Sequence, residues 1–274
     1  MNDTVNLDAY SPREIAERIE NVGVAKARLP LLSIVMLGML AGAFIGLGAL
    51  YFTLVSSDAS LGFAATRVLG GVCFSLGLLL VMVAGAELFT GNNLLVMAWA
   101  ENKLTTGEVL KNWVIVCLAN CAGAAGLALL VYLSGHLGMN GGGVAEQAVK
   151  IAAIKAGLPT LQAFFSGMLC NILVCMAVWM SFACRSVVDK MVAVIFPISA
   201  FVAAGFEHSI ANMYFFPLAM LQQAHAPLAL PGVLLIDLPH VLANLGAVIA
   251  GNIVGGSVVV ALVYHVIYRR GAKT

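Results

Sequence analysis

Charge is scarce in this chain. Only 14 Lys or Arg and 13 Asp or Glu occur among 274 residues, 10% charged, where a soluble globular domain carries about 25%. An ordinary water-exposed domain is thereby excluded. The 61% hydrophobic content and mean hydropathy of +0.99 place the chain in a lipid bilayer. Its net charge of +1 singles out no partner, and nucleic acid is not expected. Six cysteines occur without a CxxC pair: Cys73, Cys117, Cys121, Cys170, Cys175 and Cys184 all lie in or at the ends of apolar stretches. Cys117 and Cys121 share a helix face, but no His or carboxylate stands near them, which leaves packing residues rather than a metal site. No cofactor motif is found. The first apolar run follows a charged, amphipathic segment and lacks a cleavage pattern, so a retained helix is expected there rather than a signal peptide.

Long apolar runs fill most of the chain, at residues 31–54, 69–88, 112–134, 160–183, 191–206 and 238–268. Each spans, or nearly spans, about 30 Å of hydrocarbon. The expectation is an all-α membrane protein: an amphipathic segment 1–30, a six-span domain 31–268 and a short tail 269–274, with residues 214–223 as a seventh apolar piece. Ser11-Pro12-Arg13-Glu14 reads as a capping box with Pro at the first helical position, and that helix is expected along the cytoplasmic surface. A cytoplasmic N-terminus puts eleven Lys or Arg inside and only Arg67, Lys150 and Lys155 outside, so both termini are expected in the cytoplasm. The segment 135–158, with Gly141, Gly142 and Gly143, reads as the longest outside loop. Gly38, Gly42 and Gly46, with Gly48 close by, form a small-residue stripe for close helix packing, with the partner helix left open.

A short polar phrase occurs twice. Residues 85–92 read GAELFTGN and residues 205–212 read GFEHSIAN, so Gly85, Glu87 and Asn92 recur as Gly205, Glu207 and Asn212. Asn120, twelve residues before Tyr132, is echoed by Asn252, twelve before Tyr264. Three spans per half force the halves into opposite orientation, an inverted repeat with its site where the halves meet. The Gly, Ser, Thr and Asn around each glutamate predict a broken helix, its unwound backbone enclosed by protein. Buried carboxylates are expensive in a membrane. Glu87 and Glu207 are expected to point away from the lumen and accept backbone N–H groups at the breaks, as caps rather than ligands. His208 departs from the repeat, because its mate is Leu88. It is the one side chain at the breaks that titrates near neutral pH, whereas His136, His225, His240 and His265 fall near span ends.

GAELFTGN, the FSLGLLLV run from Phe74, CNILVCMAVWM from Cys170 and above all GFEHSIANM from Gly205 resemble the formate/nitrite transporter family along nearly the whole chain. The resemblance implies a homopentamer of aquaporin-like protomers, each with its own pore for small monovalent anions. It implies a cytoplasmic-side constriction at Phe74 and Leu78 and a periplasmic-side one at Phe89 and Phe201. It further implies that Thr90 hydrogen-bonds His208, that Asn171 and Asn252 are amide donors along the pore, and that Lys155 draws anions to the vestibule. Glu87, Glu207, Asn92 and Asn212 are then structural groups near the pore.

A bare anion in an apolar constriction costs several kcal/mol or more, and a neutral acid far less. His208 is therefore expected either to stabilise the anion or to lend it a proton, which separates channel from proton-coupled transport. The resemblance implies formate as the substrate, with nitrite, hydrosulfide and short carboxylates as alternatives; a neutral-solute channel of aquaporin type is a rival reading. An enzyme is not expected, since His208 has no second titratable partner at catalytic spacing. Expected partners are the anion, the bilayer and further copies of the chain, without cofactor or metal, in an inner (plasma) membrane.

Overall fold

Local sequence chemistry sets where the helices begin. The computed structural model describes residues 10–227 and 230–270. The first nine residues of the amphipathic segment and the last four of the tail, Lys273 among them, lie outside the described residues. Helix α1 (Pro12–Ala27) starts at the capping box expected there. Glu14 Oε2 accepts from Ser11 N at 2.6 Å, and Glu14 N donates to Ser11 Oγ at 3.4 Å. Proline ends the linkers before α2 (Leu31–Ser56) and, in the second half, α7 (Thr160–Phe182). Reciprocal boxes at Thr105/Glu108 and Ser186/Asp189 open α5 (Thr106–Leu133) and α8 (Val187–Ala204).

Among the described residues, six helical stretches are long and apolar enough to cross a membrane: Leu31–Ser56, Phe63–Gly85, Thr106–Leu133, Thr160–Phe182, Val187–Ala204 and Leu238–Tyr268. They match the six expected runs, with ends shifted by a few residues. The second comprises α3 (Phe63–Leu80) and a wider π turn at Val81–Gly85. The sixth comprises α10 (Leu238–Ile253), a π stretch at Val254–Leu262 and α11 (Val263–Tyr268). Between a third and a half of each span is buried within the chain. Apolar side chains such as Leu32, Phe63, Leu133 and Phe196 face outward, the surface of an integral membrane protein.

Both polar phrases break a helix. Gly85 and Gly205 each adopt φ +79°, a left-handed turn that glycine enters without steric cost and that ends a helix by satisfying its last carbonyls. After the first break the chain resumes through a 3₁₀ turn into the short α4 (Leu95–Ala100). After the second it resumes at once as α9 (Ser209–His225). The expected apolar piece at 214–223 is thus part of a longer half-helix that begins inside the polar phrase.

The segment 135–158 differs from its reading as a loop. Its glycines make short 3₁₀ turns, but Gly143–Ala156 is a helix, α6, with eight buried residues. AEQAVKIAAIKA has enough Ala and alternating apolar positions to propagate a helix once the glycines are passed. Helix α1 buries one face, Ile15, Ala16, Ile19 and Gly23, against the rest of the chain. These two helices extend the repeat, because Lys26-Ala27-Arg28-Leu29-Pro30 at the end of α1 matches Lys155-Ala156-Gly157-Leu158-Pro159 at the end of α6.

The glycine stripe of α2 meets helices of its own chain. A Cβ on Gly42 would lie 2.0 Å from the Asn120 carbonyl oxygen of α5, and one on Gly48 2.5 Å from the Phe74 carbonyl of α3. In the second half a Cβ on Gly251 of α10 would lie 2.1 Å from the Phe164 carbonyl of α7. Helix pairs α2–α5 and α7–α10 therefore occupy equivalent places, and the inverted repeat is visible in the packing.

Candidate functional site: a pore pinched at His208

Each break is pinned by one buried asparagine. Asn120 Nδ2 donates to the carbonyls of Gly38 (2.7 Å) and Glu87 (2.8 Å), and its Oδ1 accepts from Phe89 N (2.9 Å). Asn252 does the same in the other half, with Gly167 O (2.7 Å), Glu207 O (3.1 Å) and Ser209 N (3.0 Å). Two main-chain groups freed by each break, a carbonyl and an amide, are thus satisfied away from water and tied to a carbonyl of the neighbouring helix, as backbone at membrane depth requires. This corrects the amide-donor role for Asn252, because both donor bonds are held by backbone. Asn171 Nδ2 likewise faces Asn252 O (2.6 Å), Asn93 Oδ1 (2.8 Å) and Thr90 O (3.3 Å). Both amides brace the breaks from behind.

The glutamates form matching ion pairs. Glu87 meets Lys26 Nζ at 2.9 Å and accepts from Asn92 Nδ2 at 2.7 Å; Asn92 also donates to Asn112 Oδ1 at 3.0 Å. Glu207 meets Lys155 Nζ at 2.8 Å and accepts from Asn212 Nδ2 at 2.7 Å; Asn212 also donates to Asn244 Oδ1 at 2.9 Å. The expectation that the carboxylates take backbone N–H groups is corrected: their partners are side chains. Both are nearly sealed, at 4% and 2% exposure, so neither offers a bare anion to the lumen.

The cap that opens α9 is His208 itself. Its Nδ1 accepts from Ala211 N at 3.2 Å, while Nε2 lies 3.2 Å from Thr90 Oγ1, a residue of the other half. An Nδ1 that accepts carries no proton, so the neutral ring holds its hydrogen on Nε2, toward Thr90. Phe201 stacks on the imidazole at 5.8 Å between centroids, and Phe74 meets Phe201 edge-on at 5.6 Å. The centre of the molecule is thus built from positions where the repeat is broken: His208 against Leu88, and Thr90 against Ile210.

Two cavities approach this centre. One, of about 170 Å³, is lined by Arg67, Phe74, Lys155, Phe201, Glu207 and His208 among others. The other, of about 50 Å³, is walled by Ile19 and Lys26 from the α1 side together with Leu78, Leu88, Asn92 and Val178. Between them Ile45, Phe74, Leu78, Leu88, Val174, Ile198, Phe201 and His208 close to a pinch too narrow for water.

The pairing of the apolar rings is corrected. Phe74 and Phe201 bound the Lys155 cavity, while Leu78 and Leu88 bound the Lys26 cavity. Residues four apart on a helix lie about 6 Å apart along its axis, so Phe74 and Leu78 belong to successive rings. Phe89, expected in a ring, is buried but lines none of the three spaces, and Leu88 takes its place. Sequence reasoning missed Leu88, Lys26 and Arg67 as lining residues. Leu88 was already marked as the mate of His208, and the repeated Lys-Ala-x-Leu-Pro marks Lys26. For Arg67 the sequence held no signal beyond its place among the few outside cations.

Comparison with known proteins agrees with this fold. The family model described as "Formate/nitrite transporter" matches residues 13–266. "Formate channel FocA" of Escherichia coli K12 is 36% identical, over 96% of each chain. The solved "Pentameric formate channel with formate bound" is 38% identical with a TM-score of 0.80, covering 87% of this chain and 97% of the other. A solved "FNT family ion channel" is 28% identical with a TM-score of 0.81, over 93% and 98%. Matched across nearly its whole length by the family model and by these relatives, the chain belongs to the formate/nitrite transporter family.

Proposed function

We propose that the protein is a transmembrane channel for small monovalent anions, with formate as its substrate. The observation that carries this reading is the apolar pinch between two cavities, with His208 as the one polar side chain among the residues that close it. Formate, with a pKa of about 4, is an anion at neutral pH and cannot shed its water in an apolar ring without help. The imidazole of His208, held by the Thr90 hydroxyl, supplies that help where the passage is driest. Relatives named as formate channels support formate over nitrite and hydrosulfide.

The geometry favours donation of a hydrogen bond over a resident positive charge. An imidazolium would turn an Nδ1–H onto the Ala211 N–H and uncap α9, so a fully protonated ring carries a structural cost. We further propose a homopentamer with one pore per protomer, a role as transporter rather than enzyme, and both termini on the cytoplasmic side of the inner membrane. In that orientation α1 and Lys26 face the cytoplasm and Lys155 faces outward. The segments 1–30 and 269–274 then flank a channel domain at 31–268.

Purified protein in liposomes tests the reading. Labelled formate should enter and be competed by nitrite and hydrosulfide with different potencies at several pH values. Flux of glycerol or water without formate-dependent current or pH change would favour a neutral-solute channel instead.

A further inference from the structure

We propose that Arg67, and not Lys155, supplies the charge that gathers anions in the larger cavity. This rests on the anion-channel reading above. Each lysine near the pore already has a counter-ion: Lys155 lies 2.8 Å from Glu207 and Lys26 lies 2.9 Å from Glu87. A close ion pair presents a dipole whose field falls off quickly, so neither lysine contributes a net charge to the space it lines. The ionisable side chains lining the larger cavity are Arg67, Lys155, Glu207 and His208. The Lys155–Glu207 pair sums to zero and the capping imidazole is neutral, which leaves the guanidinium as the net charge. The smaller cavity has Lys26 as its one ionisable lining residue, cancelled by Glu87.

The guanidinium is fixed as a recruiting charge must be. Its Nε donates to Ala203 O at 2.9 Å and its Nη2 to Val202 O at 2.8 Å, the last carbonyls of α8 at the break. The remaining N–H groups of the fork stay available, and no ion pair to Arg67 exists among the described residues. Helix C-terminal carbonyls attract the cation without cancelling its whole charge. The two cavities therefore differ in kind, one electropositive and the other neutral. An anion about 6 Å from such a charge is enriched about threefold in a water-like medium and about tenfold at half that dielectric, and salt screens the effect.

The experiment uses full-length protein in planar bilayers and liposomes. Formate flux below saturation should fall about three- to tenfold in Arg67→Gln, and its dependence on ionic strength should flatten. Arg67→Lys, which keeps the charge but loses the fork on the α8 carbonyls, should retain most of both. Wild-type protein supplies a second measurement that requires no variant. With formate on one face at a time, influx through the Arg67 cavity should fall as salt rises, and influx from the α1 side should not. Equal salt dependence from both faces would overturn the proposal. So would an Arg67→Gln channel with wild-type salt dependence, or equal losses in Lys and Gln variants, which would make Arg67 a structural brace alone. A wild-type protein that passes no anion would instead defeat the reading on which this rests.

Discussion

Ala211 N–H and Thr90 Oγ1 hold the two nitrogens of His208 in opposite roles, so substitutions can separate capping from conduction. Asn is a good N-cap residue and Ala a poor one. His208→Asn is expected to assemble normally yet alter formate flux and its pH profile, while His208→Ala should also lose about 1 kcal/mol of stability. Flux and pH profile equal to wild type in the Asn variant would remove His208 from the pathway. Glu207 makes a harsher case. Glu207→Ala strands Lys155 and the Asn212 amide, and breaking a buried pair of this kind costs about 3–5 kcal/mol. Glu207→Gln still offers Asn212 an oxygen and should be milder in thermal melting. At this scale the sequence was most readable where the repeat fails: His208 stood out because Leu88 is apolar. That Leu88 itself closes a ring was not readable, since one more leucine in an apolar run carries no signal of where it faces. The partners of Glu207 were equally hidden, because Lys155 is far from it in sequence.

Helices α2 and α5 approach so closely that main chain touches main chain. A methyl on Gly42 would stand 2.0 Å from Asn120 O and 2.9 Å from Ala124 N, displacing the backbone whose side chain pins the first break. Gly42→Ala should therefore destabilise the protein by on the order of 1–3 kcal/mol or more. Gly126→Ala on α5 meets nothing within 4 Å beyond its own stretch of helix among the described residues and should be neutral or slightly stabilising in a detergent melt, since alanine suits a helix better. Helix α1 offers a pH test. The Ser11 amide and hydroxyl hold the Glu14 carboxyl below its ordinary value. A depressed carboxylate pKa stabilises the folded form at neutral pH, and that contribution is lost as pH falls through the lowered value. Protection against hydrogen exchange in the first turn of α1, relative to the intrinsic rate, should fall as pH drops through that lowered value, and Ser11→Ala should bring the same loosening at neutral pH. Elements were legible to the extent that they were long. The six spans could be read from hydropathy, but α6 was concealed by three glycines at its start, and α9 by the polar residues with which it begins.

Across the whole molecule the proposed selectivity barrier consists of two stacked apolar rings, Phe74 with Phe201 and Leu78 with Leu88. Phe74→Ala, Leu88→Ala or Phe201→Ala should raise lactate-to-formate flux several-fold by widening a ring, whereas Phe89→Ala should leave the ratio unchanged. Uniform ratios across all four variants would move the barrier elsewhere. Inverted symmetry was visible in the sequence from Glu87 and Glu207, yet its full extent was not, because the match at Lys26–Pro30 and Lys155–Pro159 is short and lies outside the spans.

That match makes α1 the counterpart of α6, a wall of the pore rather than an attachment to it. Helix α1 lines the smaller cavity with Ile19 and Lys26, and Lys26 is the cation that neutralises Glu87. Lifting α1 away would open that mouth sterically while baring a carboxylate beside the anion's path. Space and charge would then act against each other: the wider mouth would repel the ion that it had room to admit.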